Sequence, residues 1–153
     1  MTTAPHTMLQ RYLNGRFVSF HLDRLLPAFD PFHSGIVDSS GTVPLRFPGF
    51  DETYELRLGP SASSSGVVFA LDLQLPILAP GFWFCIHCVM RDDYVALISP
   101  TAQGIIYAHP DTPKHVPDSD GDGTARFVDH MTRVERPEDL IERFTGTSDF
   151  GEQ

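Results

Sequence analysis

Thirteen prolines and twelve glycines divide these 153 residues into short pieces. Proline removes a backbone donor and clashes inside a helix, and glycine weakens any regular element it interrupts, so long helices are disfavoured. Short strands separated by turn residues are what such a chain can build. The segments between the breaks bear this pattern: Arg16–Leu22, Val43–Phe47, Thr53–Leu58, Gly66–Leu75, Phe82–Met90, Tyr94–Ser99, Gly104–His109 and Thr124–Val134. In Thr53–Leu58 the residues Tyr54, Leu56 and Leu58 alternate with Thr53, Glu55 and Arg57, which predicts one dry face and one wet face. Phe82–Met90 is apolar on both faces and reads as a central strand. Its short Arg91–Asp93 link predicts a hairpin with Tyr94–Ser99.

Two short helices complete the expected architecture. Met8–Asn14 places Leu9, Tyr12 and Leu13 on one side, with Gly15 as a stop. Pro137 followed by Glu138 and Asp139 opens a second helix, whose buried stripe is Leu140, Ile141 and Phe144 and whose stop is Gly146. The expected fold is mainly β (α+β): an antiparallel meander or sandwich-like sheet with a short N-terminal helix and a short C-terminal helix. The length suits one domain spanning residues 1–153.

Eleven basic residues against twenty acidic ones give a net charge of −9. Such a surface repels nucleic-acid phosphates and anionic lipid headgroups, which argues against both as partners. Basic proteins, cations and small molecules remain. The charge is uneven, since residues 91–153 hold thirteen acids and six bases. No apolar run approaches the ~20 residues of a bilayer span, and residues 1–10 lack the basic-then-apolar order of a secretory signal. With Met1 in place and only two cysteines, a cytoplasmic location is expected.

Residues 118–129 read DSDGDGTARFVD. With Asp118 in first place, Asp120 and Asp122 follow at alternate positions, Gly123 is sixth, Thr124 seventh and Asp129 twelfth. Carboxylates on alternate residues of a tight turn converge on one point, and calcium needs six to eight such oxygens. The segment resembles the calcium loop of EF-hand proteins, and more closely the dockerin form that ends in Asp. The resemblance implies Ca²⁺ as a cofactor, with side-chain ligands Asp118, Asp120, Asp122 and Asp129 and a carbonyl from Thr124. Pro117, Ala125 and Arg126 depart from that pattern. A hydrated Asp-Gly turn accounts for the same letters.

Cys85-Ile86-His87-Cys88 follows Trp83-Phe84. It resembles the active site of the thioredoxin-like DsbA oxidoreductases, which implies attack by Cys85 and resolution by Cys88. That chemistry needs a helix beginning at the motif. On a strand the two thiols point to opposite faces, and two buried cysteines are the simpler reading. Val37–Thr42 is superficially similar to the D-[ST]-G turn of aspartic proteases but has one residue too many, so it reads as a turn. No phosphate-binding or nucleophile-elbow motif occurs, and neither Asp23 near His21 nor Asp129 beside His130 carries triad information alone.

These features favour a non-catalytic acidic domain that binds a protein partner, a basic one by charge, in the manner of an inhibitor. Tyr94–Ser99, Gly104–His109 and Val134–Glu142 are similar in order to the last hairpin and closing helix of a family of immunity proteins, which implies masking of a toxic partner. The alternatives are a structural or assembly subunit of a larger complex or virion, and a thiol-disulfide enzyme using Cys85 and Cys88.

Overall fold

The computed structural model describes residues 7–30, 32–33, 35, 37–51, 53–73, 77–99, 104–117 and 127–145. Its first element is strand β1 (Thr7–Leu13), where the sequence predicts a helix. The reason lies in Asn14-Gly15. Both residues have positive φ (54° and 82°), so they form a two-residue hairpin turn and not a helix stop. Leu13 therefore stands opposite Arg16 at the start of β2 (Arg16–Val18). Ser19 interrupts the predicted Arg16–Leu22 strand, which resumes as β3 (Phe20–His21).

A single helical turn, α1 (Leu22–Leu25), and a 3₁₀ turn (Leu26–Phe29) follow. The hairpin β4 (Thr42–Arg46) and β5 (Thr53–Arg57) matches the sequence expectation closely, with Val43 opposite Leu56 and Leu45 opposite Tyr54. Pro60–Ser65, in the break between two predicted strands, is helix α2: Pro60 occupies the first turn and Gly66 closes it in the left-handed conformation. The predicted strand Gly66–Leu75 is broken at Phe69-Ala70 into β6 (Val67–Val68) and β7 (Leu71–Leu73).

The largest departure is α3 (Pro80–Asp92), a helix where Phe82–Met90 is predicted to be a strand. An apolar run of this kind does not separate a buried strand from a buried helix by pattern. Its length and Pro80 in the first turn favour the helix. Phe82, Trp83, Cys85, Ile86, Val89 and Met90 are buried, while Phe84, Arg91 and Asp92 face outward. Asp93, in extended conformation, ends it and leads to β8 (Val95–Ser99). The predicted hairpin between 82–90 and 94–99 is thus a helix-to-strand connection.

β8 pairs antiparallel with β9 (Gly104–Tyr107), as expected. The predicted strand Thr124–Val134 is a 3₁₀ turn (Phe127–His130) leading into β10 (Met131–Arg133) over the described part. β10 lies parallel to β9, with Met131 opposite Ile105 and Arg133 opposite Tyr107. Helix α4 (Pro137–Thr145) closes the described chain.

The result is one mixed eight-stranded sheet in the order β10-β9-β8-β1-β7-β5-β4, with β2 also on β1, plus the small β3–β6 pair. The expected sheet is present; it is antiparallel except where β10 meets β9, and the segment expected as the N-terminal helix is strand β1. β1 carries β7 along its first half and β2 along its second, both on the side away from β8. One sheet face contributes Leu9, Val43, Leu45, Leu56, Leu71 and Leu97 to the main core beneath α3 and α4. There Trp83 stacks on Phe144 at 4.6 Å and donates its indole hydrogen to the Ile77 carbonyl at 2.9 Å. The opposite face holds a smaller cluster of Tyr12, Ala96 and Val116.

Candidate functional site

Strands β1 and β3, the 22–29 turns and the end of α3 enclose a cleft of about 760 Å³. Phe20, Leu25 and Val89 form its apolar floor and are themselves buried. The polar rim is made by Arg11, His21, Arg24, Cys88, Asp92 and Asp93. Each reaches the cleft for a local reason. Arg11 lies where β2 leaves β1, so its guanidinium spans the kink and donates to the Ser19 carbonyl at 3.0 Å. The same side chain meets the Asp93 carboxylate at 2.7 Å. Asp93 also accepts the Tyr94 amide hydrogen at 2.7 Å, fixing the end of α3.

Arg91 sits in the last turn of α3, where a cation suits the helix dipole. It donates to Asp92 at 3.2 Å and to the Cys88 sulfur at 3.6 Å. Asp92 raises the Arg91 pKa further. Arg24, projected from the one-turn helix α1, forms no ion pair or hydrogen bond among the described residues. One turn before Cys88, Phe84 stands on the same outer face of α3 and remains 44% exposed.

The CxxC occupies the interior of α3. The helix begins at Pro80, so Cys85 lies past the first turn and does not cap the N-terminus as the oxidoreductase resemblance requires. Being on a helix, the two cysteines are near neighbours and not on opposite faces as strand geometry predicts; both are free thiols. Burial, and then the adjacent Cys88, push the Cys85 thiol up to about 12. His87 points into the core, with Nε2 3.3 Å from the Val134 carbonyl, and burial lowers its pKa.

Asp118, Asp120, Asp122 and Thr124 of the calcium-like loop lie outside the described residues. Asp129 is described, exposed in the 3₁₀ turn before β10. Among the described residues no three His, Cys, Asp or Glu side chains converge as a metal site. Asp38 shows the turn expected at Val37–Thr42: it accepts from the amides of Ser40 and Thr42, both at 2.9 Å, and from the Ser40 hydroxyl at 2.7 Å. Those bonds, the Ser40 hydroxyl foremost, hold its carboxyl below the usual range. A second, more open groove of about 790 Å³ runs beside α2 past Phe69, Glu55 and Arg57.

Sequence patterning did not single out Arg11, Arg24 or Phe84. Arg11 and Asp93 are 82 residues apart, and only the fold makes them neighbours. His21 and Asp23 stand close in sequence, and His21 does reach the cleft. Among the described residues no helix is long and apolar enough to cross a membrane. In comparisons with known proteins, no family model, curated protein or solved structure matches this chain.

Proposed function

We propose that this chain is a non-catalytic domain that binds a basic protein partner, as an inhibitor or immunity protein does. The observation that carries the reading is Phe84. It stands 44% exposed on a helix whose inner side is packed into the core, outside the cleft that Cys88 lines. Exposed aromatic side chains are frequent anchors of protein interfaces. The net charge of −9 supplies the second element, long-range attraction for a partner of opposite sign. Attack by Cys85 in a thiol-disulfide enzyme would need a thiolate, which its burial opposes.

The experiment is photo-crosslinking from position 84. Benzoylphenylalanine replaces Phe84 in the native host, the adduct is identified by mass spectrometry, and the purified partner is then titrated against the natural chain. One dominant adduct with a basic protein is expected. Phe84→Ser should weaken that complex at least tenfold while leaving the melting temperature unchanged. Isolation of the chain only as a high-order homo-assembly would replace this reading with the structural-subunit one.

A further inference from the structure

We propose that the cleft between α3 and the 20–28 segment is a binding site for a small monocarboxylic acid with an apolar body. The inference does not depend on the partner reading, because Phe84 does not line the cleft. A volume of about 760 Å³ is in the range of small-molecule sites, which combine apolar walls with a few placed polar groups. Phe20, Leu25 and Val89 present hydrocarbon to an occupant, and none of them offers a hydrogen bond from its side chain.

The charge ledger of the rim selects the head group. Asp93 is neutralised by Arg11 at 2.7 Å, and Asp92 by Arg91 at 3.2 Å. Arg24 is left as the lining cation uncommitted among the described residues, with the His21 imidazole three residues before it on the rim. A guanidinium presents two parallel N–H groups that match one carboxylate. A single fork fits a monoanion. The second charge of a phosphate dianion would find no second uncommitted cation, since Arg11 is paired with Asp93, and an alkylammonium would meet the like charge of Arg24 while both rim carboxylates are already engaged by arginines. The preferred ligand therefore places its carboxylate on Arg24 and its chain over Phe20, Leu25 and Val89.

Cys88 supplies a built-in reporter, since its thiol lines the cleft while Cys85 is buried. Octanoate, octanamide, octylamine, inorganic phosphate and N-acetyl-leucine are titrated by calorimetry, with iodoacetamide labelling of Cys88 followed in parallel. Octanoate should bind, slow the labelling of Cys88, and exceed octanamide at least tenfold. Arg24→Gln should reduce octanoate to the level of the amide, Arg24→Lys should retain part of the preference, and Phe84→Ser should leave it unchanged. Because the ligand series uses the natural chain, it decides the question even if an Arg24 variant folds poorly. Equal binding of octanoate and octanamide, equal binding of phosphate, tighter binding of octylamine, or no binding at millimolar concentration each overturns the proposal. Binding of N-acetyl-leucine that is lost in Arg24→Gln would also support it, because that ligand is a monocarboxylate with a branched apolar body.

Discussion

Cys85 and Cys88 are one helical turn apart and differ in burial and in what they touch. Cys85 is 5% exposed, and burial pushes its thiol up to about 12. Cys88 is half-buried, lines the cleft and accepts a hydrogen bond from Arg91. A small uncharged alkylating reagent near neutral pH should therefore label Cys88 and spare Cys85 until the protein unfolds. Peptide mapping after timed alkylation checks this, and fast native labelling of Cys85 would restore the oxidoreductase reading. His87 gives a prediction in pH. Its folded pKa lies below the ordinary 6.5, first because burial penalises the charged ring, with Arg91 adding to that and the Val134 carbonyl, Asp139 and Glu138 opposing it. The unfolded chain thus binds a proton that the folded chain resists. This contribution to stability is complete above about pH 6.5, falls as pH drops below it, and is lost by the folded pKa. His87→Gln, which keeps a donor for Val134, should flatten the fall in melting temperature between about pH 7 and pH 5. An unchanged slope would place the acid sensitivity elsewhere.

Gly41 joins the residue scale to that of the elements. Its φ is +82°, and a Cβ there would run into the backbone of Gly59. The close approach is what lets the Leu58 amide donate to the Gly41 carbonyl at 2.8 Å, locking the two ends of the β4–β5 hairpin together. Gly41→Ala should therefore destabilise by more than the ~1 kcal/mol typical of a surface glycine with positive φ, and a chemical denaturation midpoint close to that of the natural chain would refute the packing. For α4 the critical residue is Leu140, fully buried against the main core. Leu140→Ala should cost ~3 kcal/mol, and Leu140→Asp should unfold the domain by burying an unpaired charge. Glu142→Ala, on the exposed side of the same helix, should do neither. α4, β4–β5 and β8–β9 were readable in sequence because proline, acid and period-two patterns all pointed one way. α3 was not, since a run apolar on most sides has no period to read. β1 was misassigned because Asn14-Gly15 can end a helix or turn a hairpin, and two of its three strand partners, β7 and β8, lie far along the chain. The cleft was invisible for the same reason: its rim joins Arg11 of β1 to His21 of β3, Arg24 of α1 and the end of α3.

At the scale of the whole molecule, charge and hydrophobic contact should control different halves of binding. A net charge of −9 acts beyond contact distance, and its reach is set by salt, from about 10 Å at 0.1 M to about 3 Å at 1 M. Phe84 acts only once surfaces touch. The captured partner's association rate should therefore fall by about tenfold or more as NaCl rises from about 20 mM to about 500 mM, with little change in its dissociation rate. Phe84→Ser should do the reverse, speeding dissociation and leaving the salt dependence of association intact. Charge reversal on the sheet face opposite α3, such as Glu55→Lys, should slow association without changing dissociation, because that side chain is exposed on the strand side away from the core-facing Leu56. Surface plasmon resonance at several salt concentrations separates the two rates. Association that is indifferent to salt would show that the acidic surface is not used for partner capture, and an unchanged dissociation rate in Phe84→Ser would remove α3 from the interface.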